Sequence, residues 1–452
     1  MKKILIHNAT IVNEGRRFKG AVLIEDEHIA KVFEGDAPLL SEQDIDTETI
    51  DAAGMLLLPG IIDTHVHFRE PGLIHKADIA HESRASLAGG VTSVMDMPNV
   101  NPPTTTLELW QQRMVLGKEE SRCNFAYYIG ATNDSSCLSP HLSHIPLKLF
   151  MGSSTGNMLV DDRQTLLQLF RMVADTRSPY PIVAHCEDTP RINERMAEAK
   201  QQWGDDPSVE HHPWIRDEEA CYRSSSLAAE MARETGARLH IAHITTQREL
   251  SLLGGNVTGE VCVPHLLFCD EDYARLGTRI KCNPAVKSRA DRDALRKALA
   301  DGRLLTIATD HAPHLLGEKQ GGCAHAASGM PMVQFSLVSM LDLVDETILS
   351  LERLVDAMCH QPAQLFNIPK RGFIRPGYKA DLTLVRHQEW TLHKEDILSK
   401  CGWSPLEGHT FHWRVFHTFL NGRLAYDNGH INDTLRGEPM FGGGKGLKGL
   451  KV

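Results

Sequence analysis

Two histidines spaced i, i+2, His65 and His67, stand in the segment MLLLPGIIDTHVHFRE at residues 55–70. Alternate residues of a β-strand point to one face, so both imidazoles can aim at a single point. Imidazole is the commonest metal-ligating side chain, and two at the carboxyl end of an apolar strand can begin a metal site. A pair of ordinary histidines, one of them facing a helix, would leave the same local signature. Four further strand-like runs carry ligand-type side chains at or near their ends: Lys148 in PLKLFM, His185 closing PIVAH, His243 closing RLHIAH and Asp310 closing LLTIATD. The convergence of five strand ends favours a metal centre over five separate structural roles.

Lys148 needs its own chemistry, because a protonated ammonium would repel a cation. Burial and nearby positive charge disfavour the charged form of lysine. The neutral amine can take up carbon dioxide as a carbamate, whose two oxygens can bridge metals roughly 3.5–4 Å apart. A lysine paired with an acid is the plainer alternative. Three more residues suit a carboxylate ligand: Arg69 in FREPG, Asn99 in MDMPN and His314 in DHAPH. Asn283 in KCNPAV can hydrogen-bond a ring amide. Arg69 could instead pair with Glu70, and Asn99 could cap a turn before Pro102 and Pro103. His75, His81, His141, His144, His211 and His212 read as surface or packing residues, Cys186 as a small core residue and Asp96 as structural. His240 stays open beside His243, which is preferred as the residue at the strand end.

The elements that would position these groups alternate in type. Strand-like runs fall at 56–64, 91–97, 124–129, 147–151, 181–185, 238–243, 259–264 and 304–309, with amphipathic stretches such as 79–87, 161–176, 218–234 and 290–300 between them. Eight such units in a little over 300 residues predict an α/β fold of the (β/α)8 TIM-like barrel type, where active groups gather at the carboxyl ends of the strands. Shorter strands at 4–7, 10–12, 21–25, 28–33 and 49–51 predict an antiparallel unit, and the segments near 371–385 and 415–431 share its character, with an Asn421–Gly422 turn. The expected organisation is a discontinuous small β-sandwich domain from residues 1–54 and 370–435, a barrel over 55–369, and a C-terminal tail over 436–452 ending in GGGKGLKGLKV.

Composition excludes several other classes. With 48 basic and 58 acidic residues the net charge is −10, which argues against a nucleic-acid partner held through phosphates. No apolar run is long enough to span a bilayer, and the first residues lack a secretory core. The ten cysteines include no CxxC pair, so neither a zinc ribbon nor a disulfide framework is expected, and a cytoplasmic location is.

The segments PGIIDTHVHFREPG, GGVTSVMDMPN, KLFMGSS, VAHCED, HIAHITT, KCNPAV and ATDHAPH resemble the dihydroorotases, cyclic amidohydrolases of pyrimidine biosynthesis, and the resemblance runs through nearly the whole chain. It implies two Zn2+ ions, with His65 and His67 on the more buried one and His185 and His243 on the other. Carbamylated Lys148 would bridge them, and Asp310 would be both a ligand and the proton shuttle. Arg69, Asn99 and His314 would hold the substrate carboxylate. The implied reaction is reversible cyclisation of N-carbamoyl-L-aspartate to L-dihydroorotate and water, and a homodimer is compatible with the resemblance. Hydantoinases and allantoinases share the ligand pattern, but allantoinases usually carry asparagine where Arg69 stands. A metal-free scaffold acting through a partner is the alternative of a different class.

Overall fold

A computed structural model of the chain describes residues 2–36, 47–152 and 158–441. The apolar runs become eight parallel strands closed into a barrel. Strand one (Ile61–Val66) pairs with strand two (Val91–Asp96), and two pairs with Asn124–Tyr127. After one residue the third strand continues as Ile129–Gly130, which pairs with strand four (Leu147–Phe150). Strands five (Ile182–His185), six (Leu239–Ile241), seven (Val257–Cys262) and eight (Thr306–Ala308) follow in order. The ring closes where the His67 N–H donates to the His311 carbonyl at 2.8 Å and Val66 bridges His311. Because helices cover a parallel sheet from outside, its strands are buried on both faces and their sequences are near-continuously apolar.

The helices form where one stripe is apolar and a cap stands ready. Arg163–Asp175 buries Leu166, Leu169, Phe170 and Val173, an i, i+3, i+4, i+7 stripe, and the Asp162 carboxylate accepts the Thr165 N–H at its start. Glu218–Thr235 ends at Gly236, whose φ of 77° is the left-handed conformation that a helix stop favours. No helix among the described residues is long and apolar enough to cross a membrane.

Both chain ends build the small β-sandwich domain, whose strands join in one nine-stranded hydrogen-bonded sheet. Ile4, Ile6, Ile11, Val22, Ile24, Leu57, Leu382, Leu384 and Phe419 share its core. Here the structure differs from the sequence expectation in three ways. The expected single strand over 56–64 is two: Met55–Pro59 lies in the terminal sheet, between Lys3–Asn13 and Leu382–Thr391, and the barrel begins at Ile61. The chain crosses between the two layers at Gly60, where a Cβ would fall 2.2 Å from Thr92 Oγ1, and one apolar run conceals that change of sheet. The terminal unit is also not purely antiparallel, since Lys3–Asn13 pairs in parallel with Thr47–Asp51 and Met55–Pro59. Finally, residues 436–441 of the expected tail pack on the barrel: Met440 is buried, and Phe125 donates to the Glu438 carbonyl and accepts from the Met440 N–H. The glycine-rich remainder, residues 442–452, lies outside the described residues, as does the 153–154 end of KLFMGSS.

Terminal domain, tail segment and third barrel strand meet at one buried polar knot. Arg371 donates to Asp381, to the Asn421 side chain at 2.8 Å and to Glu438 at 2.8 Å. Asp381 also accepts from the Asn124 side chain at 3.2 Å and the Asn421 N–H at 2.7 Å. Removing one member of a buried ion pair strands the other, at a cost of about 3–5 kcal/mol. Asp381→Ala is therefore expected to lower the free energy of urea unfolding by about that amount. Glu234→Ala, which breaks an exposed pair with Arg171, is expected to leave the midpoint where it was.

Candidate active site

His65 is the fifth residue of strand one, and His67 follows the strand's end. Their alternation on the strand brings both Nε2 atoms to the Asp310 carboxylate, at 3.4 and 3.0 Å. Ligand atoms of these three residues all lie within 4.8 Å of one another. His185 ends strand five, and His243 follows strand six by two residues; His185 Nδ1 lies 2.9 Å from His243 Nε2. Lys148, in strand four, is fully buried, and its Nζ has no hydrogen-bond partner among the described residues.

Burial sets the protonation of this cluster. It pushes His67 down to about 4, against the pull of Asp310, and lowers His185 and His243 as well. Those imidazoles are neutral at pH 7, the form that binds a cation. Burial likewise lowers the Lys148 amine, although Glu260 and Asp310 favour its charge. For Asp310 burial works toward protonation, but His65 and His67 outweigh it and hold the carboxyl well below the usual range. A neutral imidazole set, an ionised carboxylate and a buried, unpartnered amine together fit a metal centre. Imidazole nitrogen with carboxylate oxygen suits zinc and neighbouring divalent ions.

Beside the cluster lies a cavity of about 450 Å3, and all ten sequence-derived candidates line it: His65, His67, Arg69, Asn99, Lys148, His185, His243, Asn283, Asp310 and His314. Arg69 does not pair with Glu70. Glu70 accepts the Ile79 N–H at a helix start, and Arg69 turns instead to the Pro313 carbonyl at 3.2 Å and His314 at 3.1 Å. Asn99 Oδ1 lies 2.7 Å from His67 Nδ1. That contact orients the imidazole through its second nitrogen, as metal-ligating histidines commonly require. Asn283 Oδ1 lies 3.2 Å from His212 Nε2.

Several site residues escaped the sequence reading. Glu260, on strand seven, approaches His65 Nδ1 at 2.5 Å and accepts the His243 N–H at 3.2 Å. Burial would raise its pKa, but His65 and His240 hold it well below the usual range. An acid in the middle of a buried strand, VTGEVC, was the available signal. Glu187 holds the far nitrogen of His185 at 3.0 Å and is itself paired with Arg216. Two residues after His185, it could have been found as a partner placed for that ring. His212, read as surface or packing, is buried and lines the cavity. His240 lies within the barrel, 2.8 Å from Thr258 and 3.2 Å from Thr306. Cys186 is buried, and Asp96 pairs with Arg113.

Comparison with known proteins agrees with this architecture. The model of the amidohydrolase family matches residues 56–131 and 164–424. A dihydroorotase of Halobacterium salinarum is 34% identical over 408 residues, covering 86% of this chain and 94% of its own length. An allantoinase of Bacillus velezensis is 30% identical over 438 residues, 94% of either chain. The solved L-hydantoinase (dihydropyrimidinase) from Arthrobacter aurescens superposes with a TM-score of 0.88 at 25% identity, over 96% of this chain and 98% of that one.

The position of Glu260 carries a measurable consequence. Loss of a group that orients a ligating imidazole typically weakens metal binding by about 10–100-fold. Glu260→Gln is expected to show that loss for Zn2+ in competition with a chromogenic chelator, and an unchanged affinity would refute the orienting role.

Proposed function

The chain belongs to the amidohydrolase family, and from that premise we propose that it is a dihydroorotase, interconverting L-dihydroorotate and N-carbamoyl-L-aspartate in de novo pyrimidine synthesis. The observation that carries this reading is Arg69, a buried guanidinium lining the same cavity as the ligand cluster. A buried cation next to a reaction centre needs an anionic partner, and dihydroorotate brings a ring carboxylate whereas allantoin and hydantoin bring none. Arg69, Asn99 and His314 would receive that carboxylate, and Asn283 the ring amide. The competing reading, an allantoinase or hydantoinase-type amidase, is favoured by the allantoinase relative and by the hydantoinase fold.

His65, His67, His185, His243 and Asp310 would hold two Zn2+ ions, with carbamylated Lys148 between them. When bound, such a pair lowers the pKa of a water and polarises the carbonyl under attack. The chain's own residues do the rest. In hydrolysis Asp310 takes the proton from the attacking water and delivers it to the ring nitrogen as the carbon–nitrogen bond breaks. In cyclisation it removes the ureido proton while that nitrogen attacks the carbon of the protonated side-chain carboxyl, and it returns that proton to the departing hydroxide, which leaves as water as the carbon–oxygen bond breaks. The carboxylate cradle fixes the ring so that the susceptible carbonyl faces Asp310.

Side-by-side assays test the reading: turnover of dihydroorotate is expected to exceed that of allantoin and hydantoin by at least about 100-fold in kcat/KM, roughly 2.7 kcal/mol of transition-state discrimination. Arg69→Met is expected to abolish most of that preference, and preferential hydrolysis of allantoin by the wild type would overturn it. Lys148→Ala is expected to lose bound zinc and activity together, with partial return of both on adding a short carboxylic acid. Full activity of Lys148→Ala without the acid would exclude the bridge.

A further inference from the structure

Donors crowd the His314 imidazole. Lys76 Nζ lies 3.2 Å from Nδ1, while Arg69 Nη2 and the Ser328 carbonyl oxygen each lie 3.1 Å from Nε2. The Glu318 carboxylate is 3.6 Å from Nδ1, too far for a hydrogen bond, and sits 2.9 Å from Lys76 Nζ. Burial, followed by the charges of Arg69, Lys76 and Lys319, pushes the imidazole pKa far down, so the ring is neutral. A neutral imidazole has one N–H and one lone pair.

The proton can then be assigned. The Lys76 ammonium donates and cannot accept, so Nδ1 must supply the lone pair and the proton sits on Nε2, which donates to Ser328. The opposite tautomer would set an N–H against an ammonium and deprive Ser328 of this donor. With Nε2 protonated, Arg69 Nη2 finds no lone pair on His314, and the two donors stand side by side. Apposed donors at that distance call for an anion that accepts from both.

We propose that Lys76 is a positioning residue that fixes His314 in its Nε2–H tautomer, so that the one His314 N–H, shared between the Ser328 carbonyl and the ligand in a three-centre bond, and the Arg69 guanidinium present adjacent donors to one substrate carboxylate. The inference rests on the carboxylate reading above and deepens it. Lys76 is suited to the task by burial, at 8% exposure, and by Glu318, which accepts its charge. It stands in the loop between strand one and the helix Ile79–Ala88, seven residues beyond Arg69, so one short segment supplies both the anion-binding guanidinium and the group that orients its neighbour.

The test uses the metal-loaded full chain with ring-15N histidine, His314→Gln serving to assign the resonances. Wild-type His314 is expected to show a bare Nδ1 and a protonated Nε2. Lys76→Met is expected to lose that signature and to raise KM for dihydroorotate at least tenfold while kcat falls less than threefold. Lys76→Arg, which keeps a charged donor, is expected to restore the tautomer and bring KM within threefold of wild type. A protonated Nδ1 in the wild type overturns the proposal whatever the variants do. So does a Lys76→Met protein with an altered tautomer and an unchanged KM. Failure of the wild type to turn over dihydroorotate would instead count against the substrate reading, since the tautomer is read without substrate.

Discussion

A single carboxylate inside the barrel, that of Glu260, ties the site to the fold. It is essentially inaccessible to water, and burying an ionised acid costs several kcal/mol unless partners surround it. Its partners are two site residues, through the His65 ring and the His243 backbone N–H, and, at 3.4 Å, the neighbouring Thr64 hydroxyl. Strands one, six and seven are thereby held in register about one charge. The same field favours protonated Lys148, while burial opposes it and lowers the pKa of that amine. Without Glu260 the barrel would still have apolar strands, but the first imidazole would lose the partner that holds its Nδ1.

Holding the candidate site open also demands unusual backbone. Arg69, His243 and Asp310 have φ of 68°, 37° and 49°, in the left-handed region that costs an L-residue about 1–2 kcal/mol. All three come just past strand ends, where turning the chain sharply aims the side chain across the mouth instead of along the strand. Neighbouring hydrogen bonds lock these turns. Thr309 donates its backbone N–H and hydroxyl to Asp63, and the Ile244 N–H donates to the Glu260 carbonyl at 2.9 Å. Gly329, with φ of 132°, faces the cavity where a Cβ would fall 2.6 Å from the Ala312 carbonyl, so close backbone approach is needed there too.

The difference between what the sequence revealed and what it hid follows from periodicity. Strand-end histidines are legible because an apolar run points to them, and the helix stripes at 163–175 and 289–300 repeat every three to four residues. Thus the barrel, and the gathering of its ligand-type residues, could be read from local pattern. Lys76 could not, because its meaning lies in His314, on a distant loop; Glu260 and Glu187 left only faint local signals, an acid inside a buried strand and an acid two residues beyond His185. The run at 55–66 misled for the reverse reason: Met55–Pro59 and Ile61–Val66 are both buried and apolar, so hydrophobicity cannot mark the change of sheet at Gly60.

Part of the terminal domain reaches the loop that carries His314. Between its strands Leu382–Thr391 and Thr410–Leu420 the chain makes an excursion, and Trp403 there donates its indole N–H to the His314 carbonyl at 2.7 Å. Lys400 donates its backbone N–H to Glu82 at 2.9 Å, and its ammonium to Asp78 and the Ile74 carbonyl. Glu82 in turn meets His311 Nε2 at 2.9 Å, while His311 Nδ1 accepts the Met332 and Val333 N–H groups. Those two acceptances leave the His311 proton on Nε2, facing Glu82, so every polar atom in the relay is used. His311 directly follows Asp310, and His314 stands three residues on. The C-terminal excursion therefore braces, through polar contacts, the loop that carries both the candidate proton shuttle Asp310 and the candidate substrate-contact residue His314. A site assembled from strand-end loops needs such bracing, because loops lack the ladder of bonds that fixes a strand.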